Sequence, residues 1–499
     1  MRYLPTGKFM QQADFNTINN IGIPSMVLME RAALKTVEVM ENDNTDLSNT
    51  VVFCGSGNNG GDGFAIARIL DEKGYNVTVV FVGKESSLST DCRTQRDIVI
   101  KKGIKVVDSV DEDNYTTVID SVFGVGLNRE IQGHYLDVIK KMNEMHGRKV
   151  AVDIPSGICS MSGTILGDAF KADLTATFQC EKIGMTLFPG YTYTGKTVVC
   201  PIGIDTSIYD TYKDISFTYD RDDIKRLMPK RKPDSHKGSY GKVLMITGSK
   251  GMAGASYLSA YAAYKCGAGL VRIYTPEDNR AVLQTLIPEA VMTTYTDFDK
   301  ESIIEALNWA DTVCIGCGLG TSNLSDKILE TVIENVKVPL VIDADGINML
   351  KDKLDKVNRL DIPVIITPHI MEMSRLSDVS VREIKNNRFN IIRDFTDKNN
   401  IICVLKDART VVTLKGMQYY INTSGNSSMA KGGSGDVLSG VISALIAQGG
   451  DPFKTTCLGV YLHGCEGDEA AKHHGRYSVI ARELADSLET CILDIKEYR

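Results

Sequence analysis

Short runs of apolar residues, many of them β-branched, alternate with helical stretches along the whole chain. In the first part these runs are Val51–Phe53, Val77–Val82, Thr117–Ile119, Val150–Val152 and Leu174–Phe178. In the second part they are Val243–Ile246, Val271–Tyr274, Val313–Ile315, Leu340–Ile342, Val364–Ile366 and Ile401–Leu405. Apolar strands flanked by helices are typical of parallel sheets that are covered on both faces. The pattern therefore predicts an α/β protein.

A charged segment with prolines, Tyr209–Lys237, separates the two sets of strands. We therefore predict two α/β domains, residues 1–212 and residues 213–499, because 499 residues are too many for one ordinary domain. Thr410–Leu414 and Gln418–Ile421 read as the two strands of a β-hairpin in the second domain.

Composition and charge narrow the classes of function. With 43% hydrophobic and 24% charged residues, the chain has the composition of a globular protein with a large core. Its net charge of −7 argues against nucleic acid as the main partner, and the basic residues 225–232 are better explained as a solvated linker. The N-terminus lacks the apolar core of a signal peptide, and no apolar run approaches a membrane span in length. We expect a cytoplasmic enzyme with no membrane partner.

Twelve cysteines are scattered along the chain, and we expect them to be reduced, mostly buried thiols. Cys314 and Cys317 form a CxxC pair, but the second pair of a typical zinc site is missing. A group of cysteines and histidines near the C-terminus matches no metal-binding spacing. Its members are Cys457, His463, Cys465, His473 and His474.

The segment Gly432–Gly435 has little side chain to keep a ligand from its backbone N–H groups, and Asp436 follows it directly. Apolar residues then recur at helical spacing over residues 437–446. A glycine-rich turn that opens a helix presents free N–H donors and the positive end of the helix dipole to an anion. A carboxylate next to a phosphate suits a group that handles a proton, so we interpret Asp436 as a general base. The alternative is an N-terminal helical aspartate after a flexible loop.

Two glycine motifs occur in the first part of the chain, and one of them lacks the context of a phosphate site. Residues 190–197 fit the P-loop pattern, but a strand follows where a helix is required, so we interpret them as a hairpin turn. Residues 55–63 contain GxGxxG between a strand and the helix Phe64–Leu70. The dinucleotide fingerprint also requires an acidic residue about 20 residues after the loop, and here the first candidate, Glu85, lies further along the chain. We therefore expect the loop to bind a phosphate-bearing ligand, but we do not expect an ordinary NAD-dependent dehydrogenase.

Two strands of the first part end in aspartates, Asp120 and Asp153. Ligands of open α/β sheets bind at the carboxyl ends of strands, so both aspartates should face the crevice of the glycine loop. Each alone is more often a capping or turn residue, but together with the loop they favour a functional site. Asn59, Asp120 and Ser156 offer oxygen atoms, which would suit a hard cation.

The first part resembles the YjeF N-terminal family, the NAD(P)H-hydrate epimerases. The resemblance depends on residues 21–32, residues 57–63, Asp120 with Phe123–Gly126, and Val152–Gly157. The second part resembles the ADP-dependent NAD(P)H-hydrate dehydratases. Its matching motifs are His236–Gly241, Gly254-Ala255, Gly267–Leu270, Gly316–Gly320, Asp343–Asp345, Thr367–His369, Lys406 and Gly433–Asp436. The resemblance covers nearly the whole chain and implies a Rossmann-like open sheet followed by a ribokinase-like α/β domain.

The resemblance implies a repair enzyme. Reduced nicotinamide cofactors gain water across a ring double bond, and the family restores them. Its epimerase half interconverts the two epimers of the hydrate, and its dehydratase half restores one epimer with ADP. The substrates would be the hydrates NADHX and NADPHX together with ADP. Potassium would bind in the epimerase half, Mg²⁺ would accompany ADP, and we expect a homo-oligomer of unspecified subunit number.

The resemblance also assigns roles to residues in the epimerase half. The phosphates and ribose of the cofactor would be bound by Asn58, Asn59, Gly60, Gly61, Asp62, Gly124, Val125, Gly126, Leu127, Asn128, Arg129 and Glu130. Asp153 would be the acid or base at the altered ring. Asn59, Asp120 and Ser156 would bind potassium.

In the dehydratase half, Asp436 would take the proton of the ring hydroxyl as that hydroxyl attacks the terminal phosphoryl group of ADP. The hydrate would be bound by Ala255, Gly318, His369 and Asp436. The nucleotide would be bound by Lys406, Asp407, Ala408, Arg409, Thr410, Gly433, Ser434 and Gly435.

The chain departs from the family pattern at two places. Ile370 and Met371 replace the usual Pro-Gly, and Asp407 replaces a glycine, which puts a negative charge near the expected nucleotide. Three rival functions remain from the sequence: a small-molecule kinase with the same glycine loop, a scaffold like the YjeF-type binding modules, and an NAD-dependent dehydrogenase.

Overall fold

The computed structural model of the protein describes residues 1–110 and 114–493. The chain divides into an N-terminal unit, Arg2–Phe217, and a C-terminal unit, Thr218–Arg499 together with Met1. Strands alternate with helices in both units, which confirms the α/β fold predicted from the apolar runs. Among the described helices, none combines the length with the apolar character that a membrane span requires.

The N-terminal unit is built on one parallel sheet. In chain order its elements are β1 (Arg2–Leu4), α1 (Gly7–Phe15), α2 (Ser25–Asn42), β2 (Asn49–Cys54), α3 (Asn58–Glu72), β3 (Asn76–Phe81), α4 (Thr90–Lys101), β4 (Lys105–Val107), β5 (Thr117–Ser121), α5 (His134–Glu144), β6 (Arg148–Val152), β7 (Leu174–Phe178), α6 (Ile183–Thr186) and β8 (Lys196–Cys200). The strand order is β4-β3-β2-β5-β6-β7-β8, and every neighbouring pair is parallel. The order reverses between β2 and β5, so their carboxyl ends open the crevice where such sheets bind ligands.

Buried side chains cover both faces of this sheet, as a parallel sheet requires. Successive residues of β2 point to opposite faces, so Val52 packs in the same apolar cluster as Phe64 of α3. Phe53 packs in another cluster with Ile139 of α5. The apolar run of β2 therefore serves two cores at once.

The C-terminal unit follows β9 (Ser216–Thr218), which crosses the boundary between the units. Its further elements are α7 (Arg221–Leu227), β10 (Lys242–Ile246), α8 (Ala253–Lys265), β11 (Leu270–Pro276), α9 (Arg280–Leu286), β12 (Val291–Tyr295), α10 (Lys300–Trp309), β13 (Thr312–Ile315), α11 (Asn323–Asn335), β14 (Leu340–Ile342), α12 (Asp345–Asn348), α13 (Leu354–Val357), β15 (Val364–Ile366), α14 (Ile370–Ser377), α15 (Val381–Lys398), β16 (Ile402–Leu405), β17 (Val411–Thr413), β18 (Tyr419–Ile421), α16 (Ser434–Ala447), α17 (Pro452–Ser478) and α18 (Ala481–Leu493).

The main sheet of this unit contains the order β18-β17-β16-β15-β14-β13-β10-β11-β12. The strands from β16 to β12 are parallel, and β17 and β18 pair antiparallel as the predicted hairpin. The carboxyl ends of β13, β14, β15 and β16 therefore lie along one edge, which positions the residues that follow these strands.

One sequence interpretation needs correction. Residues 190–193 form a short 3-10 helix that leads into β8, and β8 pairs with β7 in parallel, so the predicted hairpin turn at residues 190–197 is wrong. The charged segment predicted as a junction contains β9 and α7, and the boundary between the two units falls within it. The predicted division after residue 212 falls shortly before the boundary between the two units.

Candidate functional sites

The first candidate site is a cavity of about 140 Å³ in the N-terminal unit. Four carboxylates line it, those of Asp14, Asp62, Asp91 and Asp153, together with apolar side chains such as Phe178. Asp62 lies in the early turns of α3 and Asp153 directly follows β6. The crevice at the carboxyl edge of the sheet thus brings the glycine turn and the predicted acid–base residue to one cavity.

Two of these carboxylates have contrasting surroundings. Asp153 has a φ of 67°, an uncommon conformation for a residue other than glycine, and accepts hydrogen bonds from the Lys182 ammonium and from the Phe178 backbone N (3.0 Å). Lys182 is completely buried and also donates to the Phe178 carbonyl (3.1 Å). Burial, and then the charges of Asp153 and Asp14, raise the pKa of Asp62 well above its ordinary value. One carboxylate is therefore paired with an ammonium, whereas the other favours its protonated form.

The three predicted potassium ligands meet around the backbone of Phe123. Ser156 donates to the Asp120 carboxylate from its Oγ (2.7 Å) and from its backbone N (2.7 Å). The Phe123 N donates to Ser156 Oγ (2.8 Å), and Asn59 Nδ2 donates to the Phe123 carbonyl (3.1 Å). Burial, opposed by the hydrogen bonds from Ser156, raises the pKa of Asp120 to about 6. The group offers carboxylate, hydroxyl, amide and carbonyl oxygens, the donor set that a hard cation prefers.

The other residues predicted to bind the cofactor differ in their surroundings. The helix α3 begins at Asn58, earlier than the sequence indicated, so the glycine turn is short. Gly60 lies so close to the Gly55 carbonyl that any Cβ would collide with it, which explains a glycine there by packing. In the segment 124–130, Val125 lines the cavity, whereas residues 128–130 are exposed.

The second candidate site lies at the carboxyl edge of the C-terminal sheet, where Asp343 follows β14. Asp343 is buried and accepts hydrogen bonds from Thr367 Oγ1 (2.6 Å), Lys406 Nζ (2.7 Å) and Ser439 Oγ (2.8 Å). Burial by itself raises the pKa of Asp343, but the Lys406 charge and these donors outweigh it and hold the pKa below its usual value. Asp343 and Lys406 therefore form an ion pair in which the carboxylate is buried and the lysine is partly exposed.

Asp436 shows the opposite behaviour in the first turn of α16. Burial, followed by the charge of Asp343, raises the pKa of Asp436 to about 7, although Cys317 and Lys406 act against this rise. The carboxylates of Asp436 and Asp343 and the Cys317 thiol lie within 4.8 Å of one another. A carboxyl group with a pKa near 7 can accept a proton at neutral pH, as a general base must.

The glycine loop before Asp436 has the geometry of an anion site. Gly433 adopts a φ of 91°, a conformation that favours glycine, and α16 begins at the next residue, Ser434. Gly433 has no side chain that could cap this helix, and the N–H groups of Gly435 and Asp436, in its first turn, have no helical partner. A Cβ on Gly435 would lie 3.3 Å from Lys406 Nζ, which places the ammonium next to the loop. Free N–H groups, the helix dipole and the ammonium all favour an anion here.

The residues predicted to bind the hydrate lie in two places. Gly318 has a φ of 60°, and a Cβ there would lie 2.7 Å from the Ala255 Cβ, so these two residues are in close contact. His369 is about half exposed and lies beside Lys406 through a short parallel bridge. Its Nδ1 accepts hydrogen bonds from two backbone N–H groups in the first turn of α14 (3.1 Å each), so the neutral ring carries its proton on Nε2.

The predicted nucleotide segment, residues 406–410, follows β16. Asp407, which replaces the usual glycine, forms an ion pair with Arg388 of α15 (3.2 Å between Oδ2 and Nη2). Its negative charge is therefore partly compensated. Arg409 is 5% exposed, whereas Ala408 is exposed. Lys406 is the member of this segment whose charge lies next to the glycine loop.

Sequence reasoning missed several residues that complete these sites. Asp14 and Lys182 are far along the chain from the residues 55–63, and no spacing rule connects them with that loop. Ser439 could have been found, because it lies three residues after Asp436 on the same helix and so near the same face. The twelve cysteines are free thiols, as predicted, and nine of them are buried.

Comparison with known proteins gives matches along nearly the whole chain. Residues 25–184 match the family described as YjeF-related protein N-terminus, and residues 243–490 match NAD(P)H-hydrate dehydratase. A bifunctional NAD(P)H-hydrate repair enzyme of Moorella thermoacetica is 34% identical over 516 residues, covering 99% of this chain and 97% of that protein. Its Escherichia coli counterpart is 33% identical and covers 95% of this chain and 90% of that protein.

A solved structure matches the second half. The ADP/ATP-dependent NAD(P)H-hydrate dehydratase from Bacillus subtilis, co-crystallised with ATP and Mg²⁺, is 26% identical with a TM-score of 0.50. The alignment covers 56% of this chain and 98% of that one. A ribokinase-like protein of Enterococcus faecalis is 29% identical with a TM-score of 0.51 and covers 56% of this chain and 96% of that one.

The fold and the two sites define a two-domain α/β enzyme in which each parallel sheet carries a glycine-rich turn, carboxylates and a lysine. Its relatives match both domains in the same order. The chain belongs to the bifunctional NAD(P)H-hydrate repair enzymes, which join an epimerase domain to an ADP-dependent dehydratase domain. The resemblance inferred from the motifs is confirmed.

Proposed function

We propose that residues 1–212 epimerise the hydrates NADHX and NADPHX, and that residues 213–499 dehydrate the S epimer with ADP. The products of the second reaction would be NADH or NADPH, AMP and phosphate. The observation that supports this most directly is the Asp436 carboxyl, whose pKa is about 7 and which lies in the first turn of a helix that offers free N–H groups to an anion. A base and an anion site in one turn suit phosphoryl transfer to a hydroxyl.

In the dehydration, Asp436 accepts the proton of the ring hydroxyl while the hydroxyl oxygen attacks the terminal phosphorus of ADP. The O–H bond and the P–O bond to AMP break, and a new O–P bond forms. The N–H groups of Gly435 and Asp436 and the Lys406 ammonium stabilise charge on the transferring phosphoryl group. Phosphate then leaves with its electron pair, a ring proton is lost, and the double bond returns. Phosphate is a far better leaving group than hydroxide, which explains the use of ADP.

The nucleotide and Mg²⁺ fit the same loop. Residues 406–410 and 433–435 would bind ADP, and Ala255, Gly318 and His369 would bind the hydrate. The Asp343 carboxylate lies within 4.8 Å of Asp436 and, together with the phosphates of ADP, is an oxygen donor of the kind that Mg²⁺ takes. When bound with ADP, the ion would neutralise part of the phosphate charge.

In the epimerisation, the carbon that carries the hydroxyl must be inverted. Hydration of the ring enamine puts this hydroxyl next to the ring nitrogen, whose electron pair stabilises the cation when the hydroxyl leaves as water. Asp62, with its raised pKa, is suited to give the departing oxygen its proton. Water then adds to the opposite face and gives a proton to Asp153, which Lys182 holds in place. Solvent returns both carboxyls to their starting states.

We further propose that Asn59, Asp120, Ser156 and the Phe123 carbonyl hold a potassium ion. These groups already converge through hydrogen bonds of 2.7–3.1 Å. Bound potassium would fix residues 124–130, the segment expected to contact the phosphates and ribose of the cofactor. Potassium dependence of epimerisation, with dehydration of the S epimer as the control, tests this assignment.

A small-molecule kinase is the second candidate, because the same loop and base serve phosphoryl transfer to a stable alcohol. The two are separated by incubating the protein with mixed NADHX epimers, ADP, Mg²⁺ and K⁺ and following the reduced-nicotinamide absorbance. Recovery of both epimers supports both halves of the proposal. Recovery that stops at one epimer removes the epimerase assignment, and a persistent phosphorylated product favours the kinase.

A cytoplasmic homo-oligomer stays a prediction, and light scattering would test the oligomeric part.

A further inference from the structure

A buried histidine–glutamate pair lies directly behind the glycine loop. His463 and Glu466 are one turn apart on α17, and His463 Nδ1 lies 3.2 Å from Glu466 Oε2. The other ring nitrogen, Nε2, lies 3.2 Å from the Ser434 hydroxyl. Ser434 is the first residue of α16, which packs against α17. A continuous chain of polar contacts therefore runs from the anion loop into the interior.

Packing alone gives no reason for this pair. Glu466 is completely buried, His463 is 7% exposed, and the second Glu466 oxygen, Oε1, has no hydrogen-bond partner among the described residues. Burying a carboxyl group with one unsatisfied oxygen costs stability, which an apolar side chain of similar size would avoid. Burial raises the pKa of Glu466, and its hydrogen bond to His463 opposes this rise. The contact between Glu466 and His463 therefore calls for an explanation other than stability.

The backbone at Ser434 explains what the pair can do. Gly432, Gly433 and Gly435 surround Ser434, and glycines leave a backbone more freedom than other residues. Phosphoryl transfer requires the N–H groups of this turn to be fixed before the reaction, within a few tenths of an ångström of the developing charge. A hydrogen bond from the Ser434 side chain to a rigid partner on α17 supplies such an anchor.

We propose that His463, oriented by Glu466, is a positioning residue that anchors Ser434 and so fixes the N–H groups of Gly435 and Asp436 on the transferring phosphoryl group. The inference rests on the proposed dehydratase function of the loop. Since the anchored groups act on charge that develops in the transition state, loss of the anchor lowers kcat while the KM for ADP changes little. Partners that orient metal ligands typically contribute about 10- to 100-fold in activity, and we expect an effect of similar size here.

Two substitutions of the same residue separate anchoring from packing. An asparagine amide reaches the position of Nδ1, so His463→Asn keeps the contact with Glu466 and loses the contact with Ser434. A glutamine amide reaches the position of Nε2, so His463→Gln keeps the contact with Ser434. We expect a kcat for dehydration about 10- to 100-fold lower in His463→Asn, and a loss of less than about fivefold in His463→Gln.

A double-mutant cycle with Ser434→Ala identifies the partner. Ser434→Ala is expected to lower kcat as much as His463→Asn, and the double variant is expected to be no slower than either single variant. Ser434→Thr keeps a hydroxyl and should restore most of the rate. Glu469→Gln is the matched control, because Glu469 is also on α17 and mostly buried but contacts Arg221 and Lys472 instead.

The thermal shift caused by ADP reports whether the C-terminal unit of each variant is folded, and epimerase activity of the same full-length chain reports on the N-terminal unit. Equal losses in His463→Asn and His463→Gln, or additive losses in the double variant, would overturn the proposal, because packing alone would then explain them. An increased KM for ADP at unchanged kcat would overturn it as well. If the wild-type chain itself fails to dehydrate the S epimer with ADP, the proposed function fails instead, which is a different result.

Discussion

The two candidate sites contain the same pair of features, a carboxylate paired with a lysine and a second carboxylate with a raised pKa, but the second carboxylates differ in their surroundings. Each contains one carboxylate paired with a lysine, Asp153 with the buried Lys182 and Asp343 with the partly exposed Lys406. Each also contains a second carboxylate whose pKa is raised, Asp62 in the N-terminal cavity and Asp436 beside the glycine loop. The pKa of Asp436 is about 7, whereas that of Asp62 is raised well above its ordinary value by burial together with three neighbouring carboxylates.

This difference fits the two proposed chemistries. Asp436 must lose its proton at neutral pH to act as a base, and the nearby Lys406 ammonium keeps its pKa within reach of that state. Asp62 must hold a proton to act as an acid, and the carboxylates of Asp14 and Asp153 favour that state. Burial is the largest cause of the raised pKa at both aspartates, and the neighbouring charges then add to the rise or oppose it.

The largest expected effect comes from Asp436→Asn. Removing a general base typically costs about 10²–10⁴ in rate, and asparagine keeps the shape of the side chain without the basic oxygen. Dehydration of the S epimer should fall by that factor, while ADP binding and epimerisation should persist. Single-turnover rates with each epimer, together with the thermal shift caused by ADP, measure all three. A loss of less than about tenfold would mean that another group is the base.

Substitutions in the N-terminal cavity test the proposed epimerase site in the same way. Asp62→Asn and Asp153→Asn should each slow epimerisation by about 10² or more and leave dehydration of the S epimer at the wild-type rate. Lys182→Met, which removes the ammonium that holds Asp153, should also slow it. NMR exchange between the two epimers in the absence of ADP is the direct measurement. If only Asp153→Asn is slow, Asp62 serves binding, as its position in the glycine motif implied.

Much of this arrangement follows from the sequence, and the missing part has a physical explanation. Asp120, Asp153 and Asp436 could be placed because each lies at the end of a buried strand, directly follows one, or lies in the first turn of a helix. Lysine partners are different, since Lys182 reaches Asp153 from 29 residues further along the chain and only the folded sheet brings them together. Sequence motifs therefore located the carboxylates but did not indicate which of them is paired.

The same limits apply to the fold. The central strands were found because both of their faces are buried and their apolar runs are continuous. The edge strands β4 and β12 were missed because they are partly exposed and contain polar residues among the apolar ones. In the charged segment before residue 237, the short helix α7 was also missed, although it begins with an aspartate cap, Asp220.

The pH dependence of dehydration should be a smaller effect than the loss of rate in Asp436→Asn, but it tests the raised pKa of Asp436 specifically. Because Asp436 has to be ionised to accept a proton, kcat/KM for the S epimer should rise about tenfold per unit below pH 7 and level off above it. In Asp436→Asn the residual rate should lack this rise. A midpoint near pH 4, the ordinary range of an aspartate, would contradict the role of burial at this site.

The stability of the C-terminal unit should also depend on the ionisation of Asp436. The ionisation that increases the rate of dehydration should decrease the stability. The pKa of Asp436 is higher in the folded protein than in the unfolded chain, so the folded state binds this proton more tightly. Ionisation therefore destabilises the fold progressively from about pH 4 to about pH 7, and the full cost is present above that range. Asp436→Asn should raise the melting temperature of the C-terminal unit by a few degrees at pH 8 and by little at pH 5. Calorimetry at the two pH values measures the difference, and an equal gain at both would exclude a charge effect.

The smallest effect is expected at Asp407, where the chain departs from its family. Its ion pair with Arg388 is partly exposed, and such pairs contribute up to about 1 kcal/mol. Because Arg388 compensates the charge, Asp407→Gly should change the KM for ADP by less than about threefold, a factor below 1 kcal/mol. Arg388→Ala leaves the negative charge unpaired near the expected phosphates and should raise that KM more. In the double variant the KM should return toward the wild-type value, since neither charge remains. A large decrease in KM for Asp407→Gly alone would show that the aspartate opposes the nucleotide directly, despite its partner.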